Sequence, residues 1–330
     1  IVAEISGNHN GKKSLFLKHI IMAAKNGADL IKIQTYEPKD ITINSKEKKF
    51  IIKKGIWKGK SLWDIYSKAH TPFSWHQDAF KLAKKLNIIL FSSPFSKRAV
   101  DLLESYNVQL YKIASFEITD YDLIDYIAKK NKPIVLSTGM ASIKEIKNAI
   151  KVIKKYHNKI ILLYCVSGYP TKENDSNLST IASFKEIFRG LNIGLSDHTN
   201  DILTSMTSVA FNVCMIEKHF IISNKINSLD KKFSIDILKL KNLKKNIIKI
   251  HSSIGTPDKV LKKVEKLNLK LRRSIFSIKN IKKGEELSKK NIRSFRPLIG
   301  INSNKYFKIL GKKAKRDITK YKPIFENEIN

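Results

Sequence analysis

Short apolar runs recur along the chain, each ending in polar or charged residues: IVAEIS (1–6), LIKIQT (30–35), IILFSS (88–93), LYKIAS (110–115), PIVLST (133–138), IILLYCVS (160–167), NIGLSDH (192–198) and MIEKHF (215–220). Runs of Val, Ile and Leu with little polar alternation are characteristic of parallel strands buried on both faces. Helical patterns separate them over 14–26, 75–87, 97–107, 120–131, 143–157, 178–188 and 203–212, and an eighth follows at 236–253. Eight strand–helix units over about 250 residues predict an α/β fold, a closed (β/α)8 TIM barrel whose C-terminal strand ends build the active site.

Two stretches fall outside this rhythm. Residues 36–70 are too long for an ordinary connection and carry Trp57, Trp63 and Tyr66, which marks a substrate lid or specificity element. After Gly255 and Pro257 the pattern changes to a basic, helix-prone linker, 258–271, and then a module over 272–330. Strand-like runs around Gly284 and Lys320 to Lys322 predict that this module is β-rich. It is small for independent stability and is expected to lean on a barrel. The domain reading is a barrel over 1–257, the linker, and the small β-rich domain.

Composition narrows the partners. The net charge is +34, yet only seven of the 63 basic residues are arginine, and the lysines lie along almost every helix beside abundant Ile and Asn. That spread is a coding bias, not a nucleic-acid footprint, so no nucleic-acid partner is expected, although the field still draws in anions. Cys165 and Cys214 lie in apolar runs without CxxC spacing, as buried thiols of a reducing compartment do. No apolar stretch is long enough to span a bilayer and no signal peptide opens the chain, so a cytoplasmic protein with no membrane partner is expected. The chain starts on a strand at Ile1 without an initiator Met, so a few preceding residues are expected.

The strand ends list the chemistry. They supply Glu4, Ser6, Asn8 and His9; Lys32 and Gln34; Ser92 and Ser93; Lys112, Ser115 and Glu117; Ser137 and Thr138; Ser167 and Tyr169; Ser196, Asp197 and His198; Glu217, Lys218 and His219. Lys32 and Lys112 sit inside apolar strands, where an unpaired ammonium is costly. With the hydroxyls and Gly139 they describe a site for a phosphorylated anion, against the alternative of structural ion pairs with Glu4 or Glu217. His198 and His219 end adjacent strands and could hold a divalent metal that polarises a carbonyl, or could be satisfied polar residues. Glu4 and Glu117 are the acid/base candidates, with pairing to the lysines as the alternative. His9 is a candidate proton carrier or substrate contact.

AEISGNHNG (3–11), IKIQTY (31–36), SSPFS (92–96), YKIASFE (111–117), LSTGM (136–140), GLSDHT (194–199) and EKHF (217–220) together resemble the sialic acid synthase family over nearly the whole chain. FRPLIG (295–300) and ILGKKAKRDI (309–318) resemble the antifreeze-like (SAF) domain that accompanies these barrels. The resemblance implies condensation of phosphoenolpyruvate with an N-acetylated amino sugar, giving a nine-carbon 2-keto acid and phosphate by carbon–oxygen cleavage. It implies that Lys32, Lys112, Ser115, Ser137 and Ser196, with Ser93 and Ser167, bind phosphoenolpyruvate. It further implies that His198 and His219 hold Mn2+, or Mg2+ or Co2+ in its place, to activate the open-chain aldehyde, so that His219 counts also among the catalytic groups. Glu4 is implied to handle protons or orient the sugar, Glu117 to assist proton transfer, Gln34 and Tyr169 to line the pocket, and Asp230 to meet sugar hydroxyls. Arg296 matches a residue reaching the neighbour's site, which implies a domain-swapped homodimer.

Within the family, ISGNHNG, QTYEP and the stretch from Trp57 to His76 are most similar to the branch that forms pseudaminic acid from 2,4-diacetamido-2,4,6-trideoxy-L-altrose. The N-acetylneuraminic and legionaminic branches are alternatives, as is a catalytically silent sugar-binding barrel. The chain departs from the family pattern at Gly168, Lys231, Lys232 and Leu298, positions that touch sugar fit more than the metal or phosphate sites.

Overall fold

The computed structural model describes residues 1–330, which divide into two compact units, Ile1–Gly255 and Thr256–Asn330. In the first, eight parallel strands close a barrel in sequence order: β1 (Val2–Glu4), β2 (Leu30–Thr35), β3 (Ile89–Pro94), β4 (Tyr111–Ile113), β5 (Ile134–Ser137), β6 (Ile160–Cys165), β7 (Asn192–Asp197) and β8 (Ile216–His219). β1 closes the ring, with Glu4 opposite Lys32 on one side and His219 on the other.

The helices that separate the strands are α1 (Lys13–Lys25), α4 (His76–Lys85), α5 (Lys97–Ser105), α6 (Tyr121–Ala128), α7 (Ile143–Lys154), α8 (Thr180–Ile187) and α9 (Leu203–Ser208), and α10 (Ile237–Ile254) follows β8. Two more, α2 (Pro38–Ile41) and α3 (Leu62–Ala69), lie within the long connection after β2 that was read as a lid or specificity element. The starts of α5, α6, α7 and α10 are chemically marked. Ser96, Asp120, Ser142 and Asp236 each accept a hydrogen bond from the backbone N–H three residues on, which satisfies a donor the helix leaves free. Asn87, Asn107 and Asn131 take positive φ just beyond α4, α5 and α6, a conformation that asparagine tolerates.

The outward strand faces meet the helices in two apolar clusters, one centred on β3 to β7 and the other on β1, β2, α1 and α10. Phe91 fills the barrel interior, and burying such a ring contributes roughly 2–3 kcal/mol. The apolar lower interior forces the polar inward residues toward the C-terminal mouth.

The second unit contains one short antiparallel pair, β9 (Ser274–Ser277) with β10 (Ile292–Phe295), around a core of Ile275, Ile281, Leu287, Ile292 and Ile324. The runs expected as strands near Gly284 and Lys320–Lys322 are turns instead. Gly284 and Tyr321 adopt positive φ there, and only single bridges such as Ile281 with Ile318 and Glu286 with Lys313 flank them. In the region read as a linker, Lys263–Lys266 and Leu269–Leu271 form single helical turns.

Candidate active site

Alternation along each strand sorts the nominated residues. Glu4, Lys32, Gln34, Ser93, Lys112, Ser137, Ser196, His198, Glu217 and His219 lie on the inward parity, whereas Ser92, Thr138, Asp197 and Lys218 face the helices.

At the centre, Lys32 Nζ lies 2.7 Å from Glu4 Oε2 and 3.6 Å from Glu217 Oε1, and Lys112 Nζ lies 3.7 Å from the same Glu217 oxygen. Ser196 donates to that oxygen at 3.0 Å, and Gln34 donates to Glu4 at 3.1 Å and to Ser6 at 3.0 Å. Burial alone would neutralise all four charged groups. For Glu217 the two ammonium groups and His198 outweigh burial and hold its carboxyl below the usual range. For Lys32, burial is likewise outweighed by Glu217 and Glu4. Burial prevails at Glu4, pushing it up, and at Lys112, pulling it down. Two lysines thus share one firmly ionised carboxylate.

Beside this surplus of positive charge the buried hydroxyls of Ser137 and Ser167 have no partner, and Ser115 meets only Cys165 Sγ at 3.4 Å. Gly139, at φ +43°, passes so close that a Cβ there would fall 2.5 Å from Ser115 Cβ and from Ser167 Oγ. Unpartnered donors, two ammonium groups and a glycine backbone are the groups that would suit a phosphate or carboxylate.

His198 and His219 face each other with ring centroids 5.5 Å apart. His198 Nδ1 is 2.9 Å from the Val166 carbonyl, so as the Nδ1–H tautomer it donates there and leaves Nε2 open. His219 Nδ1 is buried without a hydrogen bond, 3.9 Å from Asp230 Oδ2. Burial, reinforced by His198 and the lysines, holds His219 well below the usual range, as the neutral imidazole that a metal needs. Two ring nitrogens from neighbouring strands suit a first-row divalent ion, and no third His, Cys, Asp or Glu gathers with them into a complete cage. The residues fit an ion that keeps positions open for substrate oxygen and water. Cys165 Sγ lies 3.8 Å from His198 Nδ1; burial opposes charge on both, but each offsets it for the other, bringing the thiol down to about 7 and His198 up.

Glu117 lies in the single turn Ser115–Glu117 after β4, with Oε2 unpartnered and no lysine in ion-pair reach. Burial pushes its pKa up to about 7 against the pull of Lys112. Asp230 accepts from the Gly7 N–H at 3.0 Å, and burial raises it. Tyr169 covers His198 at 4.4 Å and Phe233 covers His219 at 4.8 Å, with Trp57 at 6.2 Å from both Tyr169 and Phe233. Trp57 thus forms the outer wall of the histidine pair and borders a cavity of about 700 Å3 that Gly7, Asn10, Lys60, Ser228, Lys231 and Lys232 also line.

Two expectations are corrected. His9 is fully buried, holds the Ala69 carbonyl at 3.2 Å and accepts from Gly11 N–H at 3.1 Å between Phe16 and Trp75, so its ring braces α3 and does not enter the site. Cys214 is exposed, not buried. Glu217, read only as the ion-pair alternative for the lysines, does pair with both of them and is the hub of the charged centre; its inward parity with His219 was the signal for that central place. Arg296 belongs to the second unit, exposed beside Arg272 and Arg273.

A barrel with a mouth of buried ammonium groups, orphaned hydroxyls and paired imidazoles defines an enzyme for a phosphorylated anionic substrate. The NeuB family model matches residues 19–259 and the SAF domain model residues 272–329. The chain belongs to the NeuB family, that of the sialic acid synthases. It is 42% identical to pseudaminic acid synthase of Helicobacter pylori over 100% of this chain and 97% of that protein. It is 38% identical to N,N'-diacetyllegionaminic acid synthase of Campylobacter jejuni, over 96% of each. The crystal structure of N-acetylneuraminic acid synthetase from Leptospira borgpetersenii in complex with citrate matches with a TM-score of 0.73 at 28% identity, covering 81% of this chain and 89% of that one. No helix is long and apolar enough to cross a membrane.

Proposed function

We propose that this chain is a metal-dependent cytoplasmic synthase that condenses phosphoenolpyruvate with 2,4-diacetamido-2,4,6-trideoxy-L-altrose to form pseudaminic acid and phosphate. The observation that carries this reading is the cradle of Lys32, Lys112, Ser137, Ser167 and Gly139 beside the His198–His219 pair, taken with identity to a pseudaminic acid synthase along the full chain. The aromatic wall of Trp57, Tyr169 and Phe233 suits the methyl and acetamido groups of a 6-deoxy sugar better than a hydroxyl-rich one. The legionaminic reading is kept as the second, on the 38% identity to that synthase.

Lys32 and Lys112 neutralise the phosphate and carboxylate of phosphoenolpyruvate, while Ser93, Ser115, Ser137, Ser167 and Ser196 fix their oxygens. Asp230, Gln34 and Tyr169 orient the open-chain sugar so that its aldehyde carbon faces carbon 3 of phosphoenolpyruvate. Mn2+, or Mg2+ or Co2+, held by His198 and His219 would supply Lewis acidity toward the aldehyde oxygen. As the carbon–carbon bond forms, Glu117 gives its proton to the developing alkoxide. Its carboxylate then takes a proton from the water that adds at carbon 2, and the tetrahedral intermediate expels phosphate by carbon–oxygen cleavage. Glu4, paired with Lys32, holds the ammonium in line and receives protons at the floor. Phosphoenolpyruvate labelled with 18O at its bridging oxygen tests the scheme. The label is expected in the released phosphate; label retained in the keto acid would contradict it.

The same reading assigns a domain-swapped homodimer in which Arg296 serves the partner's mouth. Apolar residues are exposed on the barrel rim at Phe116 and Met140, and on the small unit at Ile299 and Phe307. Such surfaces favour association.

A further inference from the structure

We propose that Asp197 and Lys218, which face away from the pocket, are positioning residues that fix the spacing of His198 and His219; this rests on the metal reading above. Asp197 and Lys218 are register partners on β7 and β8. Each immediately precedes a histidine, so alternation sends the pair outward and the rings inward. Lys218 is fully buried, its Nζ 3.0 Å from Asp197 Oδ2, and it also donates to the carbonyl and hydroxyl of Thr199. Asp197 in turn accepts from Thr199 N–H at 2.8 Å and from the Ser205 hydroxyl of α9. One ammonium therefore ties β8 both to β7 and to the turn that follows His198.

Every other outward-facing position in the eight strands is uncharged. An apolar pair of similar volume would serve stability at least as well, since buried ion pairs seldom add net stability. What the pair does add is directional: it admits one register and one strand spacing where the two rings must meet. Partners hydrogen-bonded to ligating histidines typically change metal affinity about 10- to 100-fold when replaced; Asp197 and Lys218 touch neither ring and act through the backbone of β7 and β8, and that range sets the scale of the effect.

The test is the double variant Asp197→Asn/Lys218→Met, which removes the charges, keeps an amide oxygen for the Thr199 N–H and turns the amide NH2 toward the Ser205 hydroxyl, which can accept from it. Circular dichroism and melting report folding, electron paramagnetic resonance of free Mn2+ reports affinity, and 15N-histidine spectra of the metal-free protein report the two rings. The expected result is a folded protein that binds Mn2+ 10- to 100-fold more weakly, with the His198 and His219 nitrogen signals displaced. A folded variant with wild-type affinity and unmoved signals would overturn the proposal. Should the wild type bind no Mn2+, the metal reading fails, and the ring signals alone then decide the positioning role. If the double variant does not fold, Ser205→Ala supplies the decision: displaced histidine signals support the proposal, and unchanged ones overturn it.

Discussion

Glu217→Gln removes the one carboxylate that both buried lysines share. Lys32 keeps Glu4 at 2.7 Å, but Lys112 loses its sole carboxylate partner, at 3.7 Å. At an effective dielectric constant of 20, a contact near 4 Å is worth about 4 kcal/mol of attraction, and stranding one member of a buried pair costs roughly 3–5 kcal/mol. For a domain of this size, each kcal/mol lowers the melting temperature by roughly 2–4 °C. The barrel transition is therefore expected to fall by about 6–20 °C in phosphate-free buffer. The same cavity then holds two ammonium groups without their shared counter-charge, so inorganic phosphate or phosphoenolpyruvate should stabilise the variant more than the parent, by binding only the folded state. Thermal melting followed by circular dichroism, with and without phosphate, measures both effects. A drop below about 2 °C, or equal stabilisation of variant and parent by phosphate, would refute the account of the charged centre.

Glu117, with a pKa of about 7, is protonated below that pH and ionised above it, so as first proton donor it should give an activity limb that declines as pH rises through 7. Glu117→Gln should erase that limb and lower kcat by on the order of 10²–10⁴-fold; a retained limb in the pH profile assigns it elsewhere. Gly139→Ala places a methyl where Ser115 and Ser167 leave no room, so the KM for phosphoenolpyruvate should rise by at least about tenfold with the sugar KM little changed. Steady-state kinetics with each substrate varied would expose an error if the two shifted together. Mixing Arg296→Ala subunits with His219→Ala subunits should restore up to about one quarter of wild-type activity, because one site of each mixed dimer is then complete; no recovery after subunit exchange would count against the swap.

The barrel was legible because most strands are largely apolar and turn polar toward their C-terminal ends; LIKIQT at 30–35 coincides with β2 to the residue. Period-two alternation also divides inward from outward side chains, and it puts Glu217, read only as an alternative partner for the lysines, on the same inward face as His219. α2 and α3 were hidden by brevity. They span four and eight residues, too few for an apolar period, although Ser61 capping Asp64 N–H was a readable start. In the small unit the alternation of Ile with charged residues suggested strands around Gly284, whereas isolated bridges need only one such residue each. What composition and spacing could not supply is long-range. The Ala69 carbonyl that claims His9 lies 60 residues away, and Trp57 meets Phe233 across the mouth of the barrel.

The central claim, a synthase acting on a diacetamido-trideoxy sugar, is met most directly by phosphate release from phosphoenolpyruvate with Mn2+, comparing 2,4-diacetamido-2,4,6-trideoxy-L-altrose with N-acetylmannosamine. The account predicts release with the altrose sugar and none above background with N-acetylmannosamine. Release with N-acetylmannosamine alone, or with neither sugar, would contradict it.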